Sequence, residues 1–126
     1  MPFVTITLGK GRSAAEKRSI GDAIQAALVE TGVPAADRFQ RFIELEPENL
    51  IYDTQYPDLT TPRTERVLFI EILLSVGRSV KVKRKILGSI VNGLTAFGQE
   101  SRDIFVVFKE TAWENWAFAN GEILHA

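Results

Sequence analysis

The chain has 126 residues, 45% hydrophobic and 25% charged, with a formal net charge of −1. That is one domain with one core, and it sets up no global field for nucleic acid or a membrane surface. It has no cysteine and a single histidine, His125, next to the last residue. A disulfide frame, thiolate chemistry and a His/Cys zinc site are therefore excluded, and a Ser-His-Asp triad would have to work from the tail. There is no apolar run of about 18 residues and no signal-peptide pattern, so the expectation is a cytoplasmic protein without a membrane partner. Carboxylates, arginines, tyrosines and a terminal amine are left to carry chemistry.

The amine comes from Pro2, which opens the first strand and has only Met1 ahead of it. Pro2 is small, so a methionine aminopeptidase is expected to remove Met1 and leave a secondary amine on a rigid ring. An α-amino group titrates near ~8. An apolar pocket or a neighbouring cation would lower that value and suit the group to acid–base work near neutral pH. If Met1 stays, the Pro2 nitrogen is an amide with no basic lone pair.

In chain order, Phe3 to Leu8 alternates larger apolar residues with Thr and reads as a half-buried strand. Gly9-Lys10-Gly11 breaks it and is too short for a phosphate loop. Ser13 with Glu16 is a capping-box pattern at a helix start. Ile20, Ala23, Ile24, Ala27 and Leu28 form the helix's apolar stripe, and Gly32-Val33-Pro34 ends it. A second strand is expected over about Arg38 to Glu46. The same order then recurs at a constant offset of 66 residues. Gly11-Arg12-Ser13 pairs with Gly77-Arg78-Ser79, Lys17-Arg18 with Lys83-Arg84, and Ile20, Ile24, Leu28, Gly32 with Ile86, Ile90, Leu94, Gly98. Asp37, Phe39, Phe42 and Glu44 pair with Asp103, Phe105, Phe108 and Glu110. The expected strands of this copy are Val67 to Val76 and Ile104 to Glu110.

This is a duplicated βαβ unit: an α+β fold, with a four-stranded sheet carrying two helices on one face. One domain is expected over residues 1–126, with repeats at about 2–50 and 67–116, a turn-rich linker at 51–66 and a tail at 117–126. The face without helices and the strand edges need cover, which points to a symmetric oligomer.

Pro2 opening a strand, the fused βαβ units and the Gly-Arg-Ser-x-x-x-Lys-Arg turn resemble the tautomerase superfamily, which includes 4-oxalocrotonate tautomerase and macrophage migration inhibitory factor. Gly32 to Gln40, Arg78-Ser79 and Asn115-Trp116-Ala117-Phe118 are most similar to its malonate semialdehyde decarboxylase-like branch. The resemblance implies a homotrimer with Pro2 on the floor of a pocket, Asp37 working beside it and Arg78 on a substrate carboxylate. It implies an apolar wall of Trp116, Phe118 and Ile123, and neither cofactor nor metal. The branch places a second arginine two residues before Arg78, where this chain has Val76. A second cation would then come from Arg63, Arg38 or Lys10.

Three readings follow. In the first, the Pro2 amine moves a proton on a small 2-oxo acid or its enol. In the second, cationic Pro2 and Asp37 decarboxylate or hydrate a short 3-oxo acid. The third is a trimeric binding protein that kept the fold and lost the chemistry. Asp103, the repeat mate of Asp37, is expected to have no chemical role, and Glu44 and Glu110 are expected to be structural. Lys81, Lys83, Arg84 and Lys85 read as a solvated face.

Overall fold

A computed structural model describes residues 1–124, so His125 lies outside the described residues. Strand, helix and strand follow one another twice: β1 (Phe3–Gly9), α1 (Ala14–Glu30), β2 (Gln40–Leu45), then β3 (Leu68–Ser75), α2 (Val80–Thr95) and β4 (Ile104–Thr111). Short 3₁₀ turns lie at Pro47–Asn49, Ser101–Asp103 and Trp113–Asn115. The strand order is β2-β1-β3-β4. Each unit pairs its own two strands in parallel across its helix, and the units meet through antiparallel β1 and β3.

Both helices start where a serine frees them to. Ser13 Oγ accepts from Glu16 N at 3.1 Å, and Ser79 Oγ accepts from Val82 N at 3.2 Å. The capping box at Ser13 is half made, however. The Glu16 carboxylate turns to the Arg66 guanidinium at 3.1 Å, a stronger, charge-assisted donor than a backbone amide.

Strand alternation then decides the layers. Val4, Ile6, Leu8, Leu68, Ile70, Ile72 and Leu74 point to one face and are buried under Ile20, Ile24, Leu28, Ile86, Ile90 and Leu94. Full burial of each such side chain contributes roughly 1.5–3 kcal/mol. The helices approach closely because Gly93 faces Ala23: a Cβ added at Gly93 would stand 3.2 Å from the Ala23 Cβ. On the opposite face Phe3, Ile43, Phe105 and Val107 are each more than a third exposed. The Arg41 guanidinium lies 5.2 Å from the centre of the Phe3 ring there, and Lys109 pairs with Glu71.

The duplication extends to side-chain contacts. Lys17 meets Glu44 at 2.6 Å, and the equivalent Lys83 meets Glu110 at 2.9 Å. Both carboxylates are structural, as expected, though such partly exposed pairs add at most about 1 kcal/mol. Asp103 differs from its mate. It is buried and accepts from Thr64 N at 2.8 Å and Thr64 Oγ1 at 2.6 Å. Beside it, Arg12 Nη2 donates to Arg66 O at 2.6 Å and Gln99 Oε1 at 2.8 Å. Burial, and then the Arg66 cation, push the Arg12 guanidinium below its ordinary range. The linker is thus tied to the second unit by buried polar groups, so Asp103 is a structural anchor. Asp103→Ala strands the Thr64 donors and should cost about 2–4 kcal/mol, read as a lower urea midpoint. An unchanged midpoint would contradict the anchoring role.

Candidate active site

Because β1 and β3 run antiparallel, the start of β1 lies beside the turn that follows β3. At that turn Gly77, with φ +116, bends the chain so that Arg78 follows the strand. Arg78 Nη1 donates to Ser75 O at 3.2 Å. Across from it, the Met1 ammonium stands 3.0 Å from Asp37 Oδ2, with the two side chains only 8% and 17% exposed. Asp37 is set by its own turn, Asp37 N donating to Pro34 O at 3.0 Å. The turn is fixed in turn by α1: buried Gln25 donates Nε2 to Ala35 O at 3.3 Å and to Asp37 O at 3.2 Å. The sequence offered no signal for Gln25, a polar residue within the helix's buried side.

Met1, Asp37 and Arg78 line a cavity of about 450 Å³ whose walls include Val33, Pro34, Phe39 and Phe118. Trp113 and Leu124 also line it. The structure therefore brings Asp37, Arg78 and Phe118 together with the amino end of the chain. Pro2 is buried directly behind Met1.

Two wall residues are displaced from expectation. Trp116 is not in the lining. Its ring backs Phe118 at 5.9 Å, and Phe118 in turn stacks on Phe39 at 6.0 Å. The 3₁₀ turn Trp113–Asn115 rotates the chain so that Trp113 lines the cavity instead. Ile123 forms a bridge with Ala117 and is half exposed, while Leu124 lines the cavity. Asn120 and Gly121, with φ 57 and 69, make the tight turn of this small hairpin.

None of the expected second cations lines the cavity. Arg38 pairs with Asp22 at 2.8 Å, and Lys10 with Glu46 at 2.6 Å. Arg63 donates to Asp53 O at 3.0 Å and Tyr56 O at 2.6 Å, beside a separate cavity with Tyr52, Phe69 and Phe105. Among the described lining residues, Arg78 is the cationic side chain and Met1 carries the other positive charge. The arrangement can hold a carboxylate on Arg78 and keep an amine, a carboxylate and an apolar wall around it.

Arg12 and Asp103 repeat Arg78 and Asp37 at the offset of 66, but there the linker fills the space through Thr64 and Arg66. Gln99, the mate of the cavity residue Val33, donates to Arg66 O at 3.0 Å. One copy is an open cavity and the other a closed polar clamp. Among the described residues no cluster of three His, Cys, Asp or Glu is placed to hold a metal ion, and no helix is long and apolar enough to cross a membrane.

A family model described as "Tautomerase enzyme" matches residues 37–119. "Probable tautomerase YusQ" of Bacillus subtilis (strain 168) is 30% identical over 123 residues, spanning 96% of this chain and 95% of that protein. FG41 malonate semialdehyde decarboxylase, solved as inhibited by 3-bromopropiolate, superposes with a TM-score of 0.89 at 30% identity over 96% of this chain and 92% of that one. Another malonate semialdehyde decarboxylase, with decarboxylase and hydratase activities, gives 0.87 at 26% identity over 96% and 93%. A fused 4-OT solved as a symmetric trimer shares the fold, at 0.76 and 20% identity over 96% and 94%.

The tail hairpin is predicted to hold the wall in place. Gly121→Val puts a β-branched residue at positive φ, at about 1–2 kcal/mol. Tryptophan emission should shift to the red as the Trp116–Phe118 stack opens, with far-ultraviolet circular dichroism unchanged. An unshifted emission spectrum would separate the turn from the wall.

Proposed function

The chain belongs to the tautomerase enzyme family, and on that premise we propose that it moves a proton within a small 2-oxo acid or its enol, using Pro2 as a terminal amine. Removal of Met1 turns the Pro2 amide into a secondary amine with a basic lone pair. The amine takes the hydroxyl proton of the enol and returns it to C3, while the C2–C3 double bond becomes the C2 carbonyl. Proton and electrons balance within the substrate, so the residues need only bind, orient and shuttle. Arg78 anchors the carboxylate. The wall of Phe39, Phe118 and Trp113 excludes water, which strengthens each electrostatic contact inside. Asp37 orients the amine.

One observation carries this reading: the chain's own ammonium lies within hydrogen-bond reach of Asp37 in an apolar cavity that Arg78 also lines. A second reading is favoured by the two decarboxylase structures and by the amine–Asp37 pair. In it, cationic Pro2 polarises a short 3-oxo acid, carbon dioxide leaves, and the proton is delivered to the resulting carbanion. The single arginine in the lining favours the first reading, which requires one carboxylate anchor. A binding protein without chemistry is the alternative that activity assays remove.

We also propose a homotrimer. The exposed apolar face of the sheet supports an assembly, and a fused 4-OT of this fold is solved as a trimer. Subunit contacts would cover Phe3, Phe105 and Val107. One domain running through both repeats, and a cytoplasmic location, belong to the same proposal.

The test is ketonisation of phenylenolpyruvate by protein shown by mass to lack Met1. Pro2→Ala should lower kcat/KM on the order of 10²–10⁴-fold, and unchanged turnover would overturn proline catalysis. Arg78→Ala should raise KM for the carboxylate substrate about 10-fold or more and leave its ester nearly unaffected. Equal effects on acid and ester would remove the anchor role.

A further inference from the structure

Among the described residues, two buried side-chain polar atoms have no hydrogen-bond partner: Ser75 Oγ and Trp116 Nε1. An unpaired buried hydroxyl is destabilising, so its place in the fold calls for a reason. Trp116 lies behind Phe118 and outside the cavity lining. Ser75 is placed differently. It closes β3, is fully buried, and its carbonyl holds the guanidinium of Arg78.

The sheet register says what lies near it. Phe3 stands opposite Leu73 and Val4 opposite Ile72. Met1 and Pro2, ahead of Phe3, therefore run toward Ser75, the last residue of β3. Leu74 points into the helical core, so Ser75 points to the other side. Met1 is itself nearly buried and lines the cavity. Removal of Met1 clears space at this end of the sheet, where the Ser75 carbonyl holds Arg78.

We infer that Ser75 is a substrate-contacting residue whose hydroxyl donates a hydrogen bond to the C2 oxygen of a 2-oxo acid held by Arg78. This rests on the reading of Pro2 as a terminal amine. Negative charge gathers on that oxygen as the enol proton leaves, and a neutral donor aimed there favours the charged species over the ground state.

The test uses full-length protein lacking Met1 and two ligands followed by calorimetry. Oxalate is a planar mimic of the enolate and offers a second oxygen; propionate offers a carboxylate alone. Wild type should prefer oxalate. Ser75→Ala should weaken oxalate at least ~10-fold and shift propionate by less than about twofold, without lowering the melting temperature. Ser75→Thr keeps the hydroxyl and should keep the oxalate preference. Equal weakening of both ligands, no weakening of either, or no oxalate preference in wild type would overturn the role of Ser75. Absence of Pro2-dependent turnover alongside a Ser75-dependent oxalate preference would overturn proline catalysis and support the Ser75 contact.

Discussion

Antiparallel pairing of β1 with β3 is the constraint on which the rest depends. It places the beginning of each βαβ unit beside the strand-to-helix turn of the other. Arg78, from the second unit, therefore faces the beginning of the first, and Arg12 faces the beginning of the second. At one of these two ends the chain starts, and at the other it arrives through a linker. The linker supplies backbone and side-chain groups that saturate Arg12 and Asp103. At the first end the equivalent space is a cavity lined by Met1, whose ammonium meets Asp37. One duplicated constellation thus yields a clamp and a candidate active site.

The two ends also differ in what their side chains can do. Val33 keeps the first apolar, while its mate Gln99 hydrogen-bonds the linker. Phe118 joins a stack of aromatic rings on the cavity wall. Its mate Tyr52 spends its hydroxyl on Thr64 O at 2.7 Å, and burial raises the pKa of that phenol. The second end satisfies its polar groups internally. The first leaves Ser75 Oγ without a partner, and Asp37 is held there by the terminal ammonium.

Most of the fold was legible because the repeat is written in residues that fix backbone and core. Gly11 and Gly77 mark equivalent turns, Ser13 and Ser79 cap equivalent helices, and the Ile/Leu stripes set which helix face is buried. Asp37 and Arg78 were legible through the family resemblance that the repeat made visible. The wall was harder to read. A 3₁₀ turn and a tight hairpin decide whether Trp113 or Trp116, and Leu124 or Ile123, reaches the cavity, and neither is a matter of helical or strand periodicity. The second cation was misplaced for an electrostatic reason. Arg38, Lys10 and Arg63 each have a nearer partner outside the cavity, and sequence position does not reveal such pairings. Ser75 gave no sequence signal, since its burial and its unpartnered hydroxyl arise only in the folded chain.

Proline catalysis requires that Pro2, and no other group, carry a reactive amine at the floor of the cavity. The most direct measurement is the mass of the untagged protein and of its N-terminal peptide, before and after treatment with 3-bromopropiolate. Proline catalysis predicts a chain lighter than the full sequence by one methionine and a single covalent adduct located on Pro2. A chain that retains Met1, or an adduct located elsewhere with Pro2 unmodified, would contradict it.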